Sequence, residues 1–99
     1  MNNNIGFVKD AKYMLGLYKD AMSDEGRISS LTNNEFDKII SFIETRARDG
    51  FRIAYYCVQD YLNPKPIVKR VVKMLKERGF RVKFTYSKIF NSCNIIVRW

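Results

Sequence analysis

Two sets of cations stand out for what they could do together. Lys65, Lys69, Arg70, Lys73 and Lys76 recur through one stretch of the chain, and Arg52, Arg81, Lys83 and Arg98 alternate with apolar residues in the stretches that flank it. Tyr56 falls in phase with Arg52. Ammonium and guanidinium groups so placed can neutralise a row of phosphates, and a tyrosine among them can stack on an unpaired base. That chemistry needs no cofactor, and none is implied.

Bond-breaking chemistry is poorly supplied by comparison. There is no histidine, which removes Ser-His and Cys-His nucleophile pairs and the usual zinc ligand sets, and the two cysteines, Cys57 and Cys93, are too few to hold a metal alone. Asp10, Asp20, Asp24, Glu35, Asp37 and Glu44 show no paired spacing suited to acid and base work. Asp60 and Glu77, the acids of the second half, sit in no metal or phosphate-loop motif. The chain therefore reads as a binding protein and not an enzyme.

The charge is one-sided. Residues 1–50 carry seven basic and eight acidic side chains, a net of −1, whereas residues 51–99 carry eleven basic and two acidic, a net of +9, which together give the +8 of the whole chain. A field of this kind suits an anionic partner, either nucleic acid or an acidic protein surface. With 99 residues and 46% hydrophobic content, one ordered domain is expected. No apolar run approaches the ~20 residues of a membrane span, and MNNN does not open a secretory signal, so a soluble, cytoplasmic protein that engages no membrane is expected. Two thiols in a reducing compartment are expected to be buried, as small hydrophobes.

These side chains must be positioned by ordinary elements. Ile5 to Met22 carries an apolar stripe at helical spacing, broader than one sheet face requires, and Leu15, Tyr18 and Met22 on it are candidates for a homo-oligomer contact. Ser23 to Leu31 has no period and reads as a loop. Thr32-Asn-Asn-Glu35 is a capping box, bracketed by Leu31 and Phe36, and predicts a second helix starting after Thr32 and ending at Asp49-Gly50.

From Phe51 the period is two. Phe51, Ile53, Tyr55 and Cys57 are read as the inward side, with Arg52, Ala54, Tyr56 and Val58 opposite. Pro66 opens a third helix whose stripe of Ile67, Val68, Val71, Val72 and Leu75 faces the core, and Gly79 closes it. Phe80, Val82, Phe84 and Tyr86 then alternate with Arg81, Lys83 and Thr85, and Cys93, Ile95, Val97 and Trp99 alternate with Asn94, Ile96 and Arg98. Ser87 to Ser92 closes a hairpin between them.

The fold class is α+β, in the order helix, helix, strand, helix, strand, strand, with residues 1–99 as one domain and residues 32–99 as its core. A three-stranded mixed sheet is expected, in the order first–second–third or first–third–second. The second order, with the C-terminal strand in the middle, is favoured because CNIIVRW reads as a paired, well-buried strand, and the helices are expected mainly on one face. The opposite face would then show Arg52, Tyr56, Arg81, Lys83, Thr85 and Arg98.

The segments IISFIETRARDG, VVKMLKERGFRVKF and the terminal NIIVRW resemble a recurrent type of small tailed-phage protein, accessory or associated with the virion. The resemblance covers about two-thirds of the chain, without the first helix, and assigns no functional residue. It implies a phage origin and a non-enzymatic role. Two functions follow as expectations: a basic phage protein that binds nucleic acid through its C-terminal half, or a virion assembly protein or host-protein inhibitor acting through protein contacts.

Overall fold

The structure, a computed structural model, describes residues 9–99. The chain divides into two compact units, Met1–Ser30 and Leu31–Trp99. Its elements are α1 (Ala11–Ser23), α2 (Glu25–Arg48), β1 (Ile53–Val58), α3 (Lys65–Glu77), β2 (Arg81–Ser87) and β3 (Ser92–Arg98), the expected α+β order.

In the first unit, α1 begins where Asp10 caps it, the carboxylate accepting from the Tyr13 N–H at 2.9 Å. Ile5, Phe7 and Val8 of the expected first helix lie outside the described residues. No residue of α1 is buried. Leu15, Tyr18 and Met22 are half-buried, while Met14 and Leu17 are the more exposed apolar residues, at 51% each.

The segment Ser23 to Leu31 is not a loop. Asp24 interrupts the helix for one residue and then caps α2, its Oδ1 accepting from the Gly26 N–H at 2.9 Å and the Arg27 N–H at 3.3 Å. Glu25 in the first turn complements the helix dipole. The sequence Thr32-Asn-Asn-Glu35 therefore lies inside α2 rather than at its start. Thr32 and Glu35 are buried, at 3% and 4% exposure, and continue the stripe of Phe36, Ile39 and Ile43. A capping-box pattern shares its spacing with the inner face of a helix, and here the inner face prevails.

In the second unit, β1, β3 and β2 form a sheet in that order, with β3 in the middle as expected. Both pairings are antiparallel, so the sheet is not mixed. β1 and β2 run the same way but never pair, because β3 lies between them. The crossover through α3 sets that common direction and the β2–β3 hairpin reverses it.

Helices α2 and α3 end in the same way. The Gly50 N–H donates to the Ala47 carbonyl and Phe51 N–H to Arg46, while Gly79 donates to Lys76 and Phe80 to Leu75, at 3.0 to 3.2 Å. Both glycines are left-handed, at φ of +90° and +91°, the Schellman arrangement that delivers the chain into a strand. α3 lays Ile67, Val68, Val71, Val72 and Leu75 against Val82, Cys93, Ile95 and Val97, all buried. On α2, Ile39 and Ile43 add to this core. The hairpin turn is held at Asn91, which takes φ of 46°. Its amide donates to the carbonyls of Leu62 and Tyr61 at 2.6 and 3.3 Å, and its oxygen accepts from the Tyr86 hydroxyl at 2.8 Å.

β1 faces the opposite way from its expected orientation. Ala54, Tyr56 and Val58 align with Val97, Ile95 and Cys93 on the helix-covered side. Ile53, Tyr55 and Cys57 align with Arg98, Ile96 and Asn94 on the open side. Cys57 is accordingly exposed, contrary to expectation, whereas Cys93 is buried and burial pushes its thiol up. Both faces of β1 are apolar enough in sequence to be the inner one. Pairing to β3, whose apolar side is unambiguous, settles which it is.

Candidate nucleic-acid interface

The open side of the sheet is built of three cross-strand rows. Ile53, Arg98 and Arg81 form the first, Tyr55, Ile96 and Lys83 the second, and Cys57, Asn94 and Thr85 the third. Rows arise because residues in register across antiparallel strands project to the same side. Three strands about 4.8 Å apart make a platform roughly 10 Å wide. Tyr55 stands on it at 61% exposure. Arg81, Lys83 and Arg98 are exposed around the half-buried Ile96, and with Val82 these residues line a depression of about 260 Å³.

No row contains a carboxylate. Lys38–Glu35 (3.7 Å) and Arg48–Glu44 (3.0 Å) both lie within α2, and among the described residues Arg81, Lys83 and Arg98 have no acidic partner. Arg81 and Arg98 are directly opposite each other on β2 and β3. Like charges in that position destabilise a sheet. The face thus carries unneutralised positive charge beside an exposed ring, which suits a chain of phosphates bearing unpaired bases.

The structure brings together Arg81, Lys83 and Arg98 of the expected set, with Thr85 beside them. It does not bring Arg52 or Tyr56 to this face. Arg52 precedes β1 and its Nε donates to the Trp99 carbonyl at 3.1 Å. Tyr56 turns under the helices. Its hydroxyl donates to Glu35 Oε2 at 3.2 Å, and its ring meets Phe42 at 5.7 Å between centroids.

Of the α3 cations, Lys65 lies over the Tyr86 ring at 4.3 Å and Arg70 is half-buried, which leaves Lys69, Lys73 and Lys76 as an exposed stripe.

Two residues escape a reading of the sequence alone. Alternation puts Tyr55 inward with the rest of its set, and nothing local in β1 separates it from Tyr56. Glu35 matches a capping residue in spacing, whereas it is the acceptor for two phenols, since Tyr61 also donates to it, at 3.0 Å. An acid in phase with the apolar stripe of α2 is the available signal, because a buried carboxylate needs donors. Burial, reinforced by the Glu35 carboxylate, pushes the Tyr56 phenol up to about 12. Burial and the hydrogen bond to Glu35 likewise raise Tyr61. These phenols anchor β1 and the following loop to α2, and so hold Tyr55 outward on the other side of the strand.

Among the described residues no group of His, Cys, Asp and Glu could hold a metal ion, and no helix is long and apolar enough to cross a membrane. Comparison with models of protein families, with curated proteins and with solved structures finds no match to this chain.

Proposed function

We propose that the protein binds nucleic acid through unpaired bases on the open face of its sheet, without catalysing a reaction on it. The observation that carries this reading is the second row and its neighbours: Tyr55, 61% exposed, beside Ile96, Lys83, Arg98 and Arg81 on a face without acids. The cations neutralise phosphates and fix the strand, and the Tyr55 ring takes a base by stacking, which is tolerant of sequence. Backbone contacts of this kind imply modest sequence preference and strong dependence on salt.

The test is a fluorescence-anisotropy titration with single- and double-stranded DNA and RNA at low and near-physiological salt. Single strands should bind, with affinity falling linearly on a log–log plot against salt. Tyr55→Ala should weaken binding about tenfold, the worth of one stacked base, whereas Tyr55→Phe should bind as the parent does. No binding at low salt, or an unaffected Tyr55→Ala variant, counts against the reading.

A second reading rests on α1, which buries none of its residues and exposes Met14 and Leu17. Apolar surface of this kind suits self-association, as in an assembly protein of a virion. Light scattering then reports an oligomer that dissociates when Leu15 and Tyr18 are made polar. A parent protein already monomeric at high concentration removes this reading.

A further inference from the structure

The sheet face and the lysine stripe of α3 are separate in the sequence. The fold places them on either side of one edge. β2 is an outer strand, with β3 on one side and, among the described residues, no strand on the other. It carries Arg81 and Lys83 on the open face, and its inner face lies against α3.

The orientation of α3 follows from two contacts. On one flank Arg78, at the helix end, lies over the Phe36 ring of α2 at 4.6 Å. On the other flank Lys65 lies over Tyr86 of β2 at 4.3 Å. At 3.6 residues per turn, Lys69 and Lys76 share the flank of Lys65, next to Val72, and Lys73 follows toward solvent. That flank points away from α2, toward the free edge of β2. Lys69, Val72, Lys73 and Lys76, with Glu77 at one end, line a surface depression there. Among the described residues Lys69, Lys73 and Lys76 have no acidic partner.

Resting on the reading of the sheet face given above, we infer that a bound single strand does not stop at Lys83 but turns round the free edge of β2 and continues along Lys69, Lys73 and Lys76. The edge itself is suited to the passage. Every second residue of an edge strand points its backbone N–H and C=O outward and unpaired. The N–H groups donate to phosphate oxygens as side chains do, and the flanking cations offset the carbonyls between them. Arg81 and Lys83 on one side of the strand and Lys69, Lys73 and Lys76 on the other form a cationic band, with Glu77 at one end of its α3 side.

The turn also selects the ligand. A sheet edge backed by a helix is a bend on the scale of about 10 Å, whereas duplex DNA has a persistence length of about 150 bp. Only an unpaired strand can follow it. The face accommodates roughly two or three bases, as three or four strands of sheet do elsewhere, so the remainder of a longer strand is what reaches α3.

The test compares oligothymidylates of about four and about twelve nucleotides, on the parent and on a Lys69→Glu, Lys73→Glu, Lys76→Glu variant. These lysines are exposed and outside the core, and circular dichroism checks the variant's fold. The salt slope is the main readout, since a longer oligomer also offers more binding registers. For the longer strand the slope should fall by about 2 in the variant, because three phosphates, each worth about 0.7 in the slope, are no longer neutralised, and affinity should drop at least about tenfold. For the short strand both should be unchanged. A variant that leaves the long-strand slope intact, or that weakens short and long strands equally, overturns the inference while the sheet-face reading stands. If neither oligomer binds the parent protein, both fall.

Discussion

Replacing Arg81, Lys83 and Arg98 together by glutamate should reduce the affinity for single strands on the order of a thousandfold and leave the protein folded. Each of the three is exposed on the open face without an acidic partner among the described residues, so each is available to a phosphate. A hydrogen bond to a charged group contributes about 1.5 kcal/mol or more, and three of them amount to about three decades in the dissociation constant. Stability should hardly change. Arg81 and Arg98 already oppose each other in register, and the triple variant exchanges one like-charged pair for another.

The single change Arg98→Glu separates function from solubility. A basic edge strand can serve only to discourage pairing with other sheets. If that were the whole role, Arg98, on the central strand β3, would have no part in it. Arg98→Glu turns the pair with Arg81 from repulsive to attractive, which should raise stability by about 0.5 kcal/mol. The same change should weaken binding about tenfold or more. A denaturant titration beside the anisotropy measurement checks both signs. A variant that is more stable and binds equally well would show that Arg98 has no bearing on a phosphate ligand.

The fold and the site are legible in the sequence to different depths, for physical reasons. α3, β2 and β3 can be read because each has one strongly apolar side and one charged side. In α3 the two sides are separated as completely as Leu75 and Lys76 suggest, and the buried set is the expected one. β3 can be placed in the middle of the sheet for the same reason. β1 cannot be oriented, because Ile53, Tyr55 and Cys57 are as apolar as Ala54, Tyr56 and Val58. Its direction depends on partners far along the chain, Val97, Ile95 and Cys93 on one side of the strand and Glu35 above it.

That single ambiguity exchanges Tyr55 for Tyr56 at the candidate site. The cations Arg81, Lys83 and Arg98 are placed correctly because charge alone fixes which side of their strands meets water. The start of α2 is misplaced for a related reason. A Thr-x-x-Glu pattern matches both a helix start and one turn of a helix interior, and only the burial of Thr32 and Glu35 tells them apart.

Glu35→Ala should be among the most damaging single changes, lowering stability by roughly 3 kcal/mol, because the carboxylate receives both the Tyr56 hydroxyl at 3.2 Å and the Tyr61 hydroxyl at 3.0 Å while it is itself 4% exposed. For a domain of this size that corresponds to a fall of roughly 15 °C in the melting temperature. Glu35→Gln keeps an acceptor at the same place and should cost about 1 kcal/mol. The opposite outcome has a physical basis too. Burying a carboxylate costs desolvation, so an alanine variant as stable as the parent would mean that this cost cancels both hydrogen bonds.

Alkaline pH tests the network independently. A phenol in the unfolded chain ionises near 10, while Tyr56 in the folded protein does so only at about 12, so the folded state holds the proton more tightly. The associated stability is fully present below pH 10 and is lost as pH rises from about 10 through about 12. In Glu35→Ala that loss should be shallower, because burial still raises the phenol but the neighbouring negative charge is gone. Denaturant titrations of parent and variant at pH 8 to 12 give the two slopes directly. The same experiment bears on the interface. Tyr56 and Tyr55 are adjacent on one strand and project to opposite sides, so a strand released from Glu35 no longer fixes the ring proposed to stack on a base, and the alanine variant should lose affinity for single strands even where it remains folded.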